Sequence, residues 1–407
     1  MSYSKIFSDL PELTYDVIKY FKNDFSTLYS CILVNRLWCR LAIPLLWENP
    51  FLISNENYNF IGIYLRNLNG DLKAQLNEYK IDDKLFPSNT LFNYPIFLKY
   101  LYTGKIISSI EEWSKDIELE NRSIPEFKRL IYISLFKIFI ENEVNIYTFD
   151  IKANFPYIDD MLELILQNPD FLHNIRNLKL CCINFYTDNR MSQMINLCQN
   201  LKKISLAYNN SFPLYQTSLL SNDYNHSSNT LNTIILFRLN FKIIYSLFNL
   251  IENVKQNLNH LSINIFDNFG FSNTTELSSI TLQNLGQLLP LKLEYLSLTL
   301  TIKYKNDFEM FLKNSQDTFI KKLLIKDRRI KDDEECRDTH DFILSYIKEY
   351  IMKKKRVKYL AIINFTTDLF SFKDEVKEFE LYNIKIQKYR DLVVKYKLKF
   401  VEEFEDF

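Results

Sequence analysis

The feature that most constrains the fold of this chain is a short apolar motif that recurs along its second half. Each copy places apolar residues at positions i, i+3 and i+5, and eight copies run from Ile175-Leu178-Leu180 to Val376-Phe379-Leu381. The intervals between their middle residues are 26, 30, 27, 35, 27, 37 and 19 residues. The last two apolar positions of each copy alternate, which is typical of a short strand with one buried face. The motif therefore predicts repeats that stack and share a core.

Helical patterns lie between the copies, and a weaker ninth copy precedes them around Ile146, Phe149 and Ile151. The patterned stretches are 158–166, 191–198, 243–254, 308–312 and 342–351. One strand and one helix per repeat predict an α/β fold, a curved solenoid with a parallel sheet on its concave face. The period resembles that of leucine-rich repeats. The resemblance is irregular, because only Asn209 occupies the place where regular repeats carry Asn or Cys.

A second constraint is the apolar stretch from Leu10 to Trp47, in which 23 of 38 residues are apolar. Three short helices cannot bury so many large side chains among themselves, so part of this surface must face other residues or another protein. In order and spacing the stretch resembles an F-box, from Leu10-Pro11 through 34–38 to Trp47. The resemblance implies binding to a Skp-family adaptor, and through it to a cullin. By position it assigns adaptor contacts to Leu10, Pro11, Leu13, Val17 and Ile18. The alternative is an N-terminal helical bundle that packs on its own chain.

These patterns predict three regions. Residues 1–50 form the F-box helices, residues 51–140 a helical connector, and residues 141–407 the irregular leucine-rich-repeat-like solenoid. The stretch from Phe127 to Ile140 predicts a well-buried helix within the connector.

Composition and motifs exclude several classes of function. Fifty basic and fifty acidic residues give no net charge, which argues against a nucleic-acid-binding protein. The longest apolar stretch, Leu130 to Ile140, is too short to span a bilayer. No phosphate-binding loop, nucleophile elbow or zinc-binding helix motif is present, so we predict a non-enzyme without cofactor or metal. The chain is predicted to act in the cytoplasm or nucleus. The basic run Lys353–Arg356 is either an import signal or the end of a helix.

The outward positions of the repeat strands are the candidate target-binding residues, because a concave sheet presents them as one surface. They are Lys179, Ser205, Tyr208, Ile235, Ser262, Ser297, Leu324, Ala361 and Glu380. The resemblance to F-box proteins implies the substrate-recognition subunit of a Skp–cullin–F-box ubiquitin ligase. The alternatives are a repeat scaffold that recruits no ligase and an enzyme on an irregular strand–helix fold, which is disfavoured because no site is visible.

Overall fold

The computed structural model describes residues 10–52, 58–66, 68, 70–79, 90–116, 124–183, 188–208, 230–239, 241–265, 274–328, 337–364 and 367–393. Its contacts divide the chain into two compact units, Met1–Leu201 and Lys202–Phe407. Each unit combines helices with mainly parallel strands, which confirms the α/β class. The division after residue 201 does not coincide with the boundaries predicted at residues 50 and 140. Those boundaries rest on the extent of the F-box-like stretch and on the start of the repeats, and they stay predictions.

The first unit begins with three short helices that have a core of their own. They are α1 (Pro11–Lys19), α2 (Phe25–Ile32) and α3 (Arg36–Leu46). Asp24 caps α2 by accepting the backbone N–H of Thr27 at 3.0 Å. Asn35 caps α3 by accepting the backbone N–H of Trp38 at 3.0 Å. Such caps each stabilise a helix by about 1 kcal/mol. The core residues shared by the three helices are Ile18, Leu28, Cys31, Ala42 and Leu45.

The segment predicted as a helical connector is mainly helical but contains a strand. Its helices and strand are α4 (Phe60–Leu65), α5 (Gly70–Glu78), β1 (Tyr100–Tyr102), α6 (Thr103–Trp113) and α7 (Ile124–Glu141). Strand β1 is a short exception that the sequence does not indicate, because three residues are too few to show a strand period. Helix α7 confirms the predicted buried helix. The Trp47 and Phe139 rings each lie 5.4 Å from the Tyr64 ring, so aromatic packing joins the N-terminal helices to α7.

Two further strands and two helices complete the described part of the first unit. They are β2 (Thr148–Lys152), α8 (Ile158–Leu166), β3 (Asn177–Ile183) and α9 (Asp188–Leu197). Strands β1, β2 and β3 pair in parallel, with Leu101 opposite Phe149 and Phe149 opposite Leu178. The apolar positions of successive copies therefore lie in register on the buried face, as the repeat motif predicts.

The second unit continues the alternation of strands and helices. Its strands are β4 (Lys203–Tyr208), β5 (Thr233–Phe237), β6 (His260–Asn264), β7 (Lys292–Leu300), β8 (Phe319–Asp327), β9 (Val357–Asn364), β10 (Thr367–Asp368) and β11 (Lys385–Ile386). Its helices are α10 (Phe241–Val254), α11 (Thr274–Leu288), α12 (Lys305–Asn314), α13 (Arg337–Ile347), α14 (Lys373–Leu381) and α15 (Tyr389–Leu392).

Strands β4 to β9 form a parallel series, and the recurring motif sets their register. Ile234 of β5 lies opposite Leu261, Leu261 opposite Leu296, and Leu296 opposite Leu323. These side chains are buried, so each copy adds its apolar positions to one continuous core layer. At the end of the series β10 pairs antiparallel with β9, and β11 pairs parallel with it.

The eighth copy of the motif is not a strand. Val376, Phe379 and Leu381 lie in helix α14, so the prediction of a strand there is wrong. Phe379 is fully buried and Leu381 is 82% exposed, which fits helical spacing because i and i+3 share a face whereas i+5 does not. Asp374 and Glu375 in the first turn also favour a helix.

Helix α11, which the motif analysis did not predict, separates β6 from β7.

Candidate functional site

The first candidate surface is an apolar stripe on helix α1. Leu10, Leu13 and Val17 are 42%, 52% and 40% exposed, and Tyr20 continues the same helical spacing at the end of the helix. Pro11 is also exposed. We call these five residues the N-terminal apolar face. The adjacent side of the helix is filled, because Thr14 and Ile18 are fully buried. Sequence reasoning placed four of the five residues correctly on an accessible surface but overlooked Tyr20.

Ile18 does not belong to this face. It is 0% exposed and packs in the core of the three helices, against neighbours that include Leu28 and Leu45. Its predicted accessibility for an adaptor is therefore wrong. The physical reason is that α1 has apolar residues on two sides, and a single helical period does not show which side its own bundle covers. Of the neighbours Val17 and Ile18, Val17 has an exposed side chain and Ile18 a buried one.

Three further apolar residues are exposed where α2 ends. Tyr29, Leu33 and Val34 are well exposed, although the sequence analysis gave none of them an adaptor role. The signal was present in the sequence, since apolar residues crowd the junction before Asn35. They add apolar area to the surface of a helical unit whose core is already complete.

A buried carboxylate fixes the three helices to the first strand of the unit. The Glu48 side chain is 7% exposed and pairs with Lys22 at 2.5 Å and with Lys99 at 3.2 Å. The Lys22 ammonium also donates to the Tyr100 hydroxyl at 3.3 Å. Burial opposes the charge of Lys22, but the hydrogen bonds to Glu48 and Tyr100 outweigh burial and raise its pKa. The Glu48 carbonyl accepts the backbone N–H groups of Lys99 and Tyr100. These contacts attach the three helices that carry the N-terminal apolar face to β1.

On the outer face of the strands in the first unit, the predicted target-binding residue Lys179 is engaged in an ion pair. Its ammonium lies 2.8 Å from the Asp150 carboxylate, and both side chains are half-buried. Burial raises the pKa of Asp150 despite the opposing charge of Lys179. A contact between Lys179 and a target would have to compete with this pair.

The predicted outward positions of the second unit lie in one row. Ser205 pairs with Ile235, and Ile235 pairs with Ser262. The row continues through Ser297 to Leu324 and Ala361. The alternation of the motif therefore places these residues correctly on one face and in register.

Accessibility is where the prediction for this row is wrong. Ser262 is half-buried, whereas the other five described members of the row are buried: Ser205, Ile235, Ser297, Leu324 and Ala361. Tyr208 belongs to β4, but its side chain lies outside the described residues. Glu380 is exposed, although on helix α14 and not on a strand. The sequence indicates which face a residue takes but not what covers that face.

The cover over Leu324 and Ala361 is the C-terminal part of the described chain. Tyr389 and Leu392 of α15 pack with these two residues and with Tyr295 in one buried cluster. The Tyr389 backbone N–H donates to the Asp368 carboxylate at 2.9 Å, and its hydroxyl lies 3.4 Å from that of Thr299. Segment 387–393 therefore covers the outer face of β7, β8 and β9.

The basic run Lys353–Arg356 is divided in two by the structure. The three lysines are exposed, whereas Arg356 is 6% exposed and donates to the carbonyls of Leu312, Ser315, Thr318 and Tyr350. Burial lowers the pKa of Arg356 to about 10. The helix-end interpretation expects solvated side chains along the run, which holds for the three lysines but is wrong for Arg356, whose guanidinium donates to buried carbonyls.

No group of three or more metal-binding side chains is found among the described residues. In the same part of the chain, no helix is both long and apolar enough to cross a membrane. Comparison of the sequence with protein-family models gives no match, and comparison with curated proteins gives none either.

Proposed function

We propose that this protein is the substrate-recognition subunit of a Skp–cullin–F-box ubiquitin ligase, active in the cytoplasm or nucleus. The observation that supports the proposal best is the exposed stripe Leu10, Leu13 and Val17 on a helix whose other side is filled by its own core. An apolar stripe that the bundle does not need for its own stability gains free energy by binding another protein. The resemblance of residues 10–47 to an F-box assigns that partner as a Skp-family adaptor.

The attachment of the three helices fits this role. A receptor of this kind contributes no reacting group and acts by holding a target near an enzyme that its partners supply. Holding requires a fixed distance, and the Glu48 ion pairs and the Trp47–Tyr64–Phe139 packing provide rigidity between the helices and the first strands.

The proposal extends to the repeats, which we take to form a curved leucine-rich-repeat-like solenoid with its parallel sheet on the concave face. In-register apolar positions and intervening helices support this arrangement. Small-angle X-ray scattering tests it, because a compact chain of 407 residues has a radius of gyration of about 22 Å and an arc has a larger one. A measured value near 22 Å would contradict the arc.

Adaptor binding is tested with two double variants of the full chain. Leu13→Asp with Val17→Asp places carboxylates in the N-terminal apolar face, whereas Lys19→Asp with Asn23→Asp places them at exposed polar positions nearby. Each apolar anchor is worth about 1–3 kcal/mol, so the first variant should weaken adaptor binding by about 30-fold or more. The control should stay within a few-fold of wild type.

Circular dichroism must show that both variants keep the wild-type fold. If the folded first variant binds the adaptor as tightly as wild type does, the proposed face is wrong. If wild type itself does not bind the adaptor, the repeat scaffold without ligase recruitment becomes the better description.

A further inference from the structure

The outer face of β7, β8 and β9 has an apolar character that the repeat pattern does not require. In a strand–helix repeat the helices cover only one face of the sheet, and the other face meets water unless another element covers it. Here the second face presents Tyr295, Leu324, Tyr359, Ala361 and Ile363, which we call the sheet groove. Five such side chains on adjacent strands form an apolar surface that needs a cover.

The occupant of the sheet groove is a very short element. Helix α15 has four residues, and Tyr389 and Leu392 are three positions apart, so both lie on the side that faces the groove. Arg390 and Asp391 between them are exposed. The groove thus receives a single helical turn with an aromatic and an aliphatic side chain at i and i+3.

The polar contacts that hold this turn, among the described residues, include the one between the Tyr389 and Thr299 hydroxyls at 3.4 Å. The Gln387 backbone N–H donates to the Leu360 carbonyl at 3.0 Å, and the Tyr389 backbone N–H donates to Asp368 at 2.9 Å. A single turn is too short to be stable alone and depends on the surface beneath it. Such a short element opens locally at lower free energy than core strands do.

We propose that the sheet groove is a peptide-binding site for a target segment that presents an aromatic and an aliphatic side chain three residues apart, and that residues 387–393 are its intramolecular occupant. The target and the occupant then compete for Tyr295, Leu324 and Ala361. This inference rests on the target-binding half of the proposed function. It explains why Leu324 and Ala361, which are predicted to face a target, are buried in the free chain.

Lys322 and Lys326 place two positively charged side chains beside the sheet groove. They flank Leu324 on the same face of β8, in register with Tyr359 and Ile363 of β9. The Asp368 carboxylate also lies at the groove, and the occupant itself carries Lys388, Arg390 and Asp391, so charges of both signs surround the two anchors.

The test uses the full chain and a fluorescent peptide with the sequence of residues 385–393. The variant Tyr389→Ala with Leu392→Ala removes both anchors of the occupant, and Arg390→Ala with Asp391→Ala is the matched control within the same turn. Fluorescence anisotropy should show at least tenfold tighter peptide binding to the anchor variant than to wild type or to the control. A peptide that carries the same two anchor substitutions should not bind.

Three results would overturn the inference. One is an anchor variant that keeps the wild-type fold yet binds no peptide. Another is an anchor variant that unfolds, combined with wild-type protein in which the amides of Gln387 and Tyr389 exchange hydrogen only by global unfolding. Segment 387–393 would then be an integral part of the core. The third is a wild-type dimer that the anchor variant loses, because the partner is then a second copy. No adaptor is present in this assay, so its failure is distinguishable from failure of the proposed ligase role.

Discussion

Val17 and Ile18 are neighbours in α1 with opposite environments, so they offer a matched test of the assignment of its two sides. Val17 is 40% exposed on the N-terminal apolar face, whereas Ile18 is 0% exposed in the core of the three helices. We predict that Ile18→Ala lowers stability and leaves adaptor affinity nearly unchanged in the folded protein. Val17→Ala should have the reverse effects.

The magnitudes follow from burial. Truncating a buried Ile to Ala removes contacts and leaves a cavity, at a cost of about 2–5 kcal/mol. For a unit of about 200 residues each kcal/mol lowers Tm by about 2–4 °C, so the expected loss is about 4–20 °C. An exposed Val→Ala change usually stays within about 0.5 kcal/mol. The loss of one interface anchor costs about 1–3 kcal/mol of binding, or roughly 5- to 150-fold in Kd.

Thermal melting by circular dichroism measures the first effect, and calorimetric titration with the adaptor measures the second at a temperature where both variants are folded. The crossed pattern is the informative result, because a general loss of structure would weaken binding in both variants. If Ile18→Ala impairs binding at unchanged stability, or if Val17→Ala melts as early as Ile18→Ala does, our assignment of the two sides of α1 is wrong.

Three further predictions concern the second unit. In Gly286→Ala the new Cβ would lie 2.7 Å from the Phe311 carbonyl oxygen, so overpacking of about 1–3 kcal/mol should exceed the gain in helix propensity and lower the midpoint of urea unfolding. Arg356→Met removes a buried guanidinium that donates to four carbonyls and should cost about 3 kcal/mol or more in the same assay, whereas Lys353→Met should have almost no effect. Burial lowers the pKa of His260, so its contribution to stability is complete above pH 6.5 and is lost as the pH falls below that value. His260→Asn should therefore lose less unfolding free energy than wild type between pH 7.5 and 5.5, and equal losses would contradict this assignment.

The sequence predicts where the strands of this protein lie better than it predicts which segments cover them. Seven of the eight copies of the motif lie on strands, because alternating aliphatic residues have a clear period of two and each copy adds to the same core layer. The copy at Val376 is predicted as a strand because the spacing i, i+3 fits either structure, and the helix signal lies in Asp374 and Glu375 just before it. Leu381, which is 82% exposed, shows which period applies.

The candidate sites show the same contrast: the sequence predicts the face on which a side chain lies but not the segment that covers that face. Periodicity places Leu13 and Val17 on one side of α1, and Leu324 and Ala361 on one face of the sheet, and the structure agrees in both cases. Whether that side is open depends on a segment distant in sequence, and no local pattern reports such a segment. The N-terminal stripe stays exposed because the core beneath it is complete, whereas the sheet face is covered because residues 387–393 return to it.

One signal in the sequence does point to that cover. The outward row carries serines at 205, 262 and 297 and one apolar residue, Ile235, and it then has two apolar residues in consecutive repeats, Leu324 and Ala361. An outward strand position that faces only water has no reason to carry a large aliphatic side chain, since its burial is what stabilises it. Apolar outward residues on adjacent strands therefore imply that another segment covers them. Tyr389 and Leu392, which are three residues apart on α15, provide the covering side chains. The same reasoning makes the groove a competitive site: whatever covers Leu324 in a complex must offer at least the contacts that Tyr389 and Leu392 give up.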